Sequence, residues 1–302
     1  MIYTISDLWS NKTVSDFLKG VGYSHKAISR LKRLEDGILL NGSRVTVRAV
    51  LRTGDTLSLA VEDRAEEQNP YLEPVDLPLS ILYEDDGLLA VNKPPFMPTH
   101  PSMGHTGDTL ANAVAFYLQR EDRPFIFRAI NRLDRDTSGV VLLAKDKFNA
   151  AKLAGAMGDG KIQKTYLALL CGELAQEEGD IDAYIRRKEA SIITREAIPA
   201  NTAPMPEGAQ PALTRYQVVQ RLNGYTLVRA FPQTGRTHQL RVHFAHIGHP
   251  IVGDTLYGTA DLRIDRQALH AETLTIPYGE REMTLTAPLP QDLQTLLKEI
   301  SP

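Results

Sequence analysis

Apolar positions in the first sixty residues repeat at helical spacing and then at extended spacing. Val14, Phe17, Leu18 and Val21 fall on one helical face. Ser24 has the character of an N-cap for a second helix running to about Leu34. Ile38-Leu39-Leu40, the Asn41-Gly42 turn and Val45 to Val50 predict a hairpin, and Gly54-Asp55 opens a short strand from Thr56 to Val61. Residues 13–62 therefore read as a small module. The periodicity lapses over 63–79, where an acidic, polar run ending in Asn69-Pro70 is followed by Pro74 and Pro78, the composition of an extended linker.

A larger unit follows over 80–302. Ile81-Leu82-Tyr83 and Leu88 to Val91 flank an Asp85-Asp86-Gly87 turn, which predicts a hairpin. Leu110, Ala113, Val114, Tyr117 and Leu118 share one face of a helix that begins at Asp108 or Thr109. Val140 to Ala144 reads as a buried strand, followed by a helix from near Asp146 to about Gly158. Thr165 to Leu170 is a further strand, and the two-residue period places Lys164 and Tyr166 on the same face. Residues 173–212 are polar and punctuated by Pro, Glu and Gly, and predict mostly loop. Strands return at Leu213 to Val219 and Tyr225 to Phe231. Helices and strands alternate without a regular βαβ repeat, so the expected class is a mixed α+β sheet domain.

Composition narrows the possibilities. With 302 residues and 42% hydrophobic positions the chain can bury a sizeable core. No apolar run approaches the roughly 18 to 20 residues of a membrane span. The N-terminus from Met1 to Asp7 lacks a basic region and an apolar signal core. A single cysteine, Cys171, excludes an intramolecular disulfide and a cysteine-built zinc site. The expectation is a soluble, cytoplasmic, monomeric protein without membrane association. The net charge of −3 hides an uneven distribution, because eight Lys or Arg residues but only two acids lie between Lys19 and Arg52. Local fields govern association with phosphate, so Lys26, Arg30, Lys32 and Arg33 are candidate nucleic-acid contacts.

Two segments carry the chemistry. Asn131-Arg132-Leu133-Asp134-Arg135-Asp136-Thr137-Ser138-Gly139 places two acids among arginines at a turn ahead of the buried strand. Nearby positive charge favours an ionised carboxylate, and a carboxylate held at a turn by a rigid strand can serve as nucleophile or base; a salt-bridged surface turn would have the same composition. The second segment, Gly235 to Pro250, places Leu240, His243, Phe244 and Ile247 on one helical face, with Arg236 and Thr237 at the expected helix start. Its four histidines are spaced by five, three and three, unlike a His-Glu-x-x-His zinc site, and no metal is expected. A paired-carboxylate glycosidase is disfavoured, because the arginines beside Asp134 and Asp136 suit a phosphate-bearing substrate better than a neutral sugar.

Taken together the segments resemble the RluA-type pseudouridine synthases. Arg132 to Gly139 matches that family's Arg-Leu-Asp-x-x-Thr-Ser-Gly signature, and Gly235 to His243 matches Gly-Arg-x-His-Gln-Leu-Arg-x-His. Asn92-Lys93-Pro94, Lys164-Thr165-Tyr166, His249-Pro250 before Gly253-Asp254, and Leu269-His270-Ala271 match in order between about 80 and 290. The small module resembles the S4-type RNA-binding module, as in the RluC and RluD branch. The resemblance implies a mainly antiparallel catalytic sheet domain and an isomerase that turns uridine into pseudouridine in RNA without a cofactor. It implies Asp134 as nucleophile and Arg236 as its ion-pair partner. Tyr166 would stack on uracil, Arg132 would fill the gap left by the flipped uridine, and Leu240 and Arg241 would line the pocket. Ribosomal RNA of the large subunit is the favoured target, with transfer RNA as the alternative. A non-catalytic RNA-binding protein is the other reading, against which the joint presence of Asp134, Tyr166 and Arg236 argues. Two departures from the family pattern, Asn131 in place of His and Pro94-Pro95-Phe96 in place of a glycine turn, bear on target choice more than on the reaction.

Overall fold

The computed structural model describes all residues except 24, 61–67, 122, 123, 280 and 302, and the side chains of Lys26 and Glu121. At the N-terminus, α1 (Val14–Gly20) starts where Thr13 accepts the amide of Asp16 and the Asp16 carboxylate accepts that of Thr13, a reciprocal cap. It buries Val14, Phe17 and Leu18, the face expected from their spacing. The proposed cap of the next helix, Ser24, lies outside the described residues. α2 (His25–Leu31) stops short of Leu34 because the chain tightens into bonds from Arg33 to Arg30 and from Leu34 to Leu31. Lys32 and Arg33 therefore lie in an exposed turn, while Arg30 is exposed on the helix.

Four short strands cover these helices: β1 (Ile2–Thr4), β2 (Ile38–Leu40), β3 (Ser43–Arg44) and β4 (Thr56–Leu59), in the order β1-β4-β2-β3. Asn41 and Gly42 both take left-handed backbone angles, φ 51° and 79°, as a two-residue hairpin turn requires. Two expectations change. Residues before 13 belong to this sheet, since β1 pairs with β4. The segment from Val45 to Val50 is not a strand. The carbonyls of Val47 and Ala49 instead accept the first amides of α1, from Ser15 and Val14, and so satisfy a helix end. The small core includes Ile5, Phe17, Leu18, Ile28, Ile38, Leu51 and Leu57. Tyr23 extends it to the large domain by stacking on Phe148 at 3.9 Å between ring centroids.

Of the expected linker, 63–67 lies outside the described residues and 68–79 has no helix or strand. The large domain begins with β5 (Ser80–Glu84) and β6 (Leu88–Lys93), joined at the Asp85 turn, followed by α3 (Leu110–Leu118) and the wholly buried β7 (Ser138–Ala144). Next come α4 (Lys147–Gly158), β8 (Gln163–Cys171), β9 (Glu178–Arg187), β10 (Arg195–Pro199), β11 (Gln210–Leu222) and β12 (Tyr225–Pro232). The chain closes with α5 (Gln239–His246), β13 (Leu269–Tyr278), β14 (Arg281–Thr286) and α6 (Gln291–Ile300). The ten strands form one sheet in the order β10-β9-β11-β12-β8-β13-β7-β6-β5, with β14 on β13. Every pairing among the described residues is antiparallel except that of β13 with β7.

Residues 173–212, expected as loop, hold β9, β10 and the start of β11. The strand signal in β9 is an alternation of small and aliphatic inward residues, Ile181, Ala183 and Ile185, with charged outward ones. Overall polarity masks it, because only one face is covered and that by α5, whose Val242 packs with Ile185 and Ala212.

Candidate active site

The acid-and-arginine turn expected from the sequence sits where β7 enters the sheet between β6 and β13. Gly139 has φ 120° and lies so near β13 that a Cβ there would meet the Ala271 carbonyl oxygen at 2.2 Å. Around it the loop is tied down on every side. Thr99 Oγ1 donates to the Leu133 carbonyl at 2.9 Å, and Gln267 Nε2 donates to Thr137 Oγ1 at 3.1 Å. His270 Nε2 faces the Ala287 carbonyl, which leaves Nδ1 to accept from Ser138 Oγ at 2.9 Å. Arg266, fully buried, donates to the Asp136 carbonyl and pairs with Asp292 at 2.6 Å, joining the loop to α6.

Lys93 clamps the loop from below. Its buried Nζ donates to the carbonyls of Pro94, Met97 and Arg135 at 2.8, 2.7 and 2.9 Å. Burial pulls this ammonium down to about 7, opposed by the charges of Asp136 and Asp134. Three carbonyl acceptors match the three N–H groups of the charged form. Asn131 also has a structural task. Its Nδ2 donates to the Val140 carbonyl and its Oδ1 accepts the Leu142 amide, so the side chain stands in for a neighbouring strand along β7.

Asp134 projects from this loop, partly exposed, into a cleft of about 760 Å³. Arg132 and Leu133 from the same loop, Lys164 and Tyr166 from β8, and Leu240 and Arg241 from α5 all line it. Lys164 and Tyr166 do share a face. Burial, reinforced by the charge of Asp134, pushes the Tyr166 hydroxyl up and keeps it protonated. Asp136 turns away and pairs with Arg135 at 2.7 Å.

One expected pairing is wrong. Arg236 does not meet Asp134; its Nε donates to the Pro211 carbonyl at 3.0 Å, and its amide donates to Gln239 Oε1 at 3.0 Å. The cation beside Asp134 is Arg241, whose Nη1 lies 3.3 Å from Oδ2. The reason is where the helix begins. α5 starts at Gln239, three residues later than the sequence pattern implies, with His238 as a left-handed N-cap at φ 57°. The face that meets the loop then carries residue 241. Arg241 is held from behind by Asp254, fully buried, through Nε–Oδ2 at 2.7 Å and Nη2–Oδ1 at 2.8 Å. Its guanidinium also lies over the Tyr257 ring, 5.2 Å from the centroid.

Asp254, Tyr257 and His238 are site residues that sequence reasoning did not single out. Asp254 stood only as a supporting match at Gly253-Asp254, and nothing local marked it as the support of an arginine thirteen residues away. Lys93 was passed over in the same way.

His243, one turn beyond Gln239, is completely buried and neither ring nitrogen has a partner among the described residues. Burial pulls it down to about 4, so its neutral ring fills space behind α5. Because the folded value is below the unfolded value of roughly 6.5, the unfolded chain binds the proton first as pH falls. The stability His243 contributes is intact above about pH 6.5 and is lost as pH drops through about 4, by up to roughly 3 kcal/mol. Urea unfolding at neutral and acidic pH checks this, with His243→Leu expected to lose less stability on acidification than wild type.

Comparison with known proteins supplies the family. The RNA pseudouridylate synthase family matches residues 87–246. An RNA pseudouridine synthase of Bacillus subtilis, YjbO, itself uncharacterised, is 38% identical over 95% of this chain and 98% of its own length. The ribosomal large subunit pseudouridine synthase D of Xanthomonas campestris is 35% identical over 87% of this chain and 80% of its own. Among solved structures, human RNA pseudouridylate synthase domain containing 4 superposes with a TM-score of 0.63 at 25% identity, covering 73% of this chain and 92% of that one. The family match and these relatives, on a mixed, mostly antiparallel sheet, make the chain an RNA-modifying isomerase. The chain belongs to the RluA-type RNA pseudouridine synthases.

Proposed function

We propose that this synthase acts on ribosomal RNA of the large subunit, with Asp134 as the nucleophile. The observation that carries the catalytic assignment is the buried Asp254–Arg241 pair aimed at one oxygen of Asp134, across a cleft also lined by Tyr166. The large-subunit target is supported by the relatives that bear that name. Uridine enters the cleft flipped out of the RNA, and Arg132, exposed at the rim, occupies the gap it leaves. Asp134 attacks carbon 1 of the ribose, and the bond to N1 breaks with its electron pair leaving on the uracil. The base turns, carbon 5 bonds to carbon 1, and the carboxylate departs as an anion. The proton on carbon 5 is then lost and N1 gains one, so the product is an isomer and needs no donor or oxidant. Tyr166 stacks on the base and assists that proton loss as a relay, its hydroxyl passing its own proton to water as it takes the one from carbon 5.

The test is to map pseudouridines across total RNA in a strain lacking the gene, then complement with wild type and Asp134→Asn. Sites in large-subunit RNA should vanish and return only with wild type; sites confined to transfer RNA would overturn the target.

The N-terminal module is proposed as an S4-type RNA clamp, on the strength of its exposed Arg30, Lys32 and Arg33 beside Lys26. Deleting it would also uncover Phe148, so charge reversal is the cleaner probe. Lys32→Glu with Arg33→Glu should weaken RNA binding at low salt and reduce the slope of log Kd against log salt by about 1 to 2. Filter binding over a salt series would show this; an unchanged slope would remove the module from the RNA contact.

A further inference from the structure

Both cationic or donor groups that approach Asp134 do so on the same oxygen. Arg241 Nη1 lies 3.3 Å and His238 Nε2 lies 3.9 Å from Oδ2, and Oδ1 has no partner among the described residues. Among the described residues His238 is one of five non-glycine residues with positive φ, a region uncommon for any side chain. A left-handed histidine at a helix N-cap costs conformational energy, and such outliers persist where the surroundings hold them. What holds this one is Tyr257, whose hydroxyl lies 2.8 Å from His238 Nδ1 and accepts the Arg195 amide at 2.8 Å. With that lone pair engaged, the network is best satisfied if the hydroxyl proton goes to Nδ1, which leaves the ring proton on Nε2.

We propose that His238 is a positioning residue: neutral, locked by Tyr257 as the Nε2–H tautomer, it joins Arg241 in holding Oδ2 of Asp134 so that Oδ1 is the attacking oxygen. This rests on Asp134 being the nucleophile. At 3.9 Å the contact is longer than a hydrogen bond, and contacts of this kind commonly shorten when a substrate seats. The groups facing the ring are Asp134 from the loop, Arg241 from α5, Arg195 from β10, and Asp254 and Tyr257 from the segment after α5. Burial is the largest influence and pulls the imidazole below its usual value, with the arginines adding to that and the two carboxylates opposing it. A neutral ring needs the Tyr257 hydroxyl to choose its tautomer. A protonated ring does not, because both nitrogens then carry protons.

That difference supplies the test. Full-length protein would be given excess over total RNA labelled with tritium at uridine carbon 5, taken from a strain lacking the gene, and tritium release followed in a single turnover. His238→Asn keeps a residue suited to the left-handed backbone but shortens the donor, and should slow release about tenfold, as loss of a hydrogen bond to a charged group does. His238→Gln restores the reach and should recover part of the rate. Tyr257→Phe keeps the ring under Arg241 but frees the tautomer. Its rate relative to wild type, followed from acid pH up to neutrality, should fall as pH rises through the lowered imidazole value, below about 6.5, where the ring becomes neutral. A variant that is merely loosened gives a ratio independent of pH. A flat ratio for Tyr257→Phe, or wild-type release from His238→Asn, overturns the proposal. Should His238→Asn not fold, the Tyr257→Phe ratio decides alone. Asp134→Asn runs alongside: if it releases tritium, the nucleophile assignment fails; if it is inert while His238→Asn is normal, only the positioning role fails.

Discussion

Asp134→Asn is expected to reduce single-turnover pseudouridine formation by at least about a thousandfold, as removal of a covalent nucleophile does. The carboxamide has nearly the same shape, so the loop and the cleft should persist. Asp134 is partly exposed and ties nothing else down through its side chain, whereas Arg241 retains its pair with Asp254. Unfolding free energy should therefore change by less than about 1 kcal/mol. RNA affinity should stay within about twofold, since an electrostatic footprint spread over many phosphates dominates binding. A rate loss without a stability or affinity loss is the signature of a group that acts on the reacting atoms. Mass-spectrometric mapping of pseudouridine together with urea unfolding of the same preparations checks both halves.

Asp254→Ala is expected to damage both stability and rate, and for one reason. Asp254 is fully buried, and besides both contacts to Arg241 it accepts the amides of Leu256 and Tyr257. Its removal leaves a guanidinium in the interior with Asp134 as its remaining carboxylate. Breaking one side of a buried ion pair costs about 3 to 5 kcal/mol, more than the pair itself contributes. The freed Arg241 can then swing, so the aim of Asp134 is lost as well. Arg241→Met should likewise abolish useful turnover, but it leaves Asp254 with two backbone partners. The double variant Asp254→Ala with Arg241→Met should be less destabilised than the sum of the two, because no unpaired guanidinium remains. Equal and additive losses in urea unfolding would show that the two residues do not act as a pair.

Much of the chain was legible before any coordinates. The hairpin at Asp85-Asp86-Gly87, the helix with Leu110 and Val114 buried, the strand from Val140 to Ala144 and the shared face of Lys164 and Tyr166 are all short-range patterns, set by the periods of strand and helix. The aspartate proposed as nucleophile could be singled out because its setting is local too: an acid at a turn, a glycine that must approach another backbone, a buried strand behind. The misreadings came from long-range effects. Val45 to Val50 has strand composition, but the carbonyls of Val47 and Ala49 are taken by a helix end. β9 and β10 were hidden because one of their faces is polar and the other needs α5 to cover it.

The arginine that faces Asp134 shows the limit most clearly. Two arginines, 236 and 241, stand five residues apart in one motif, and no spacing rule chooses between them. The choice depends on α5 beginning at Gln239 and on Asp254 arriving from beyond the helix to hold Arg241. By itself the sequence determined the family, most helices, the central strands and the aspartate to be tested, since these rest on periodicity and on ordered local motifs. Only the tertiary structure decided which cation meets that aspartate and which of its oxygens that cation holds, because both depend on contacts between segments more than a hundred residues apart.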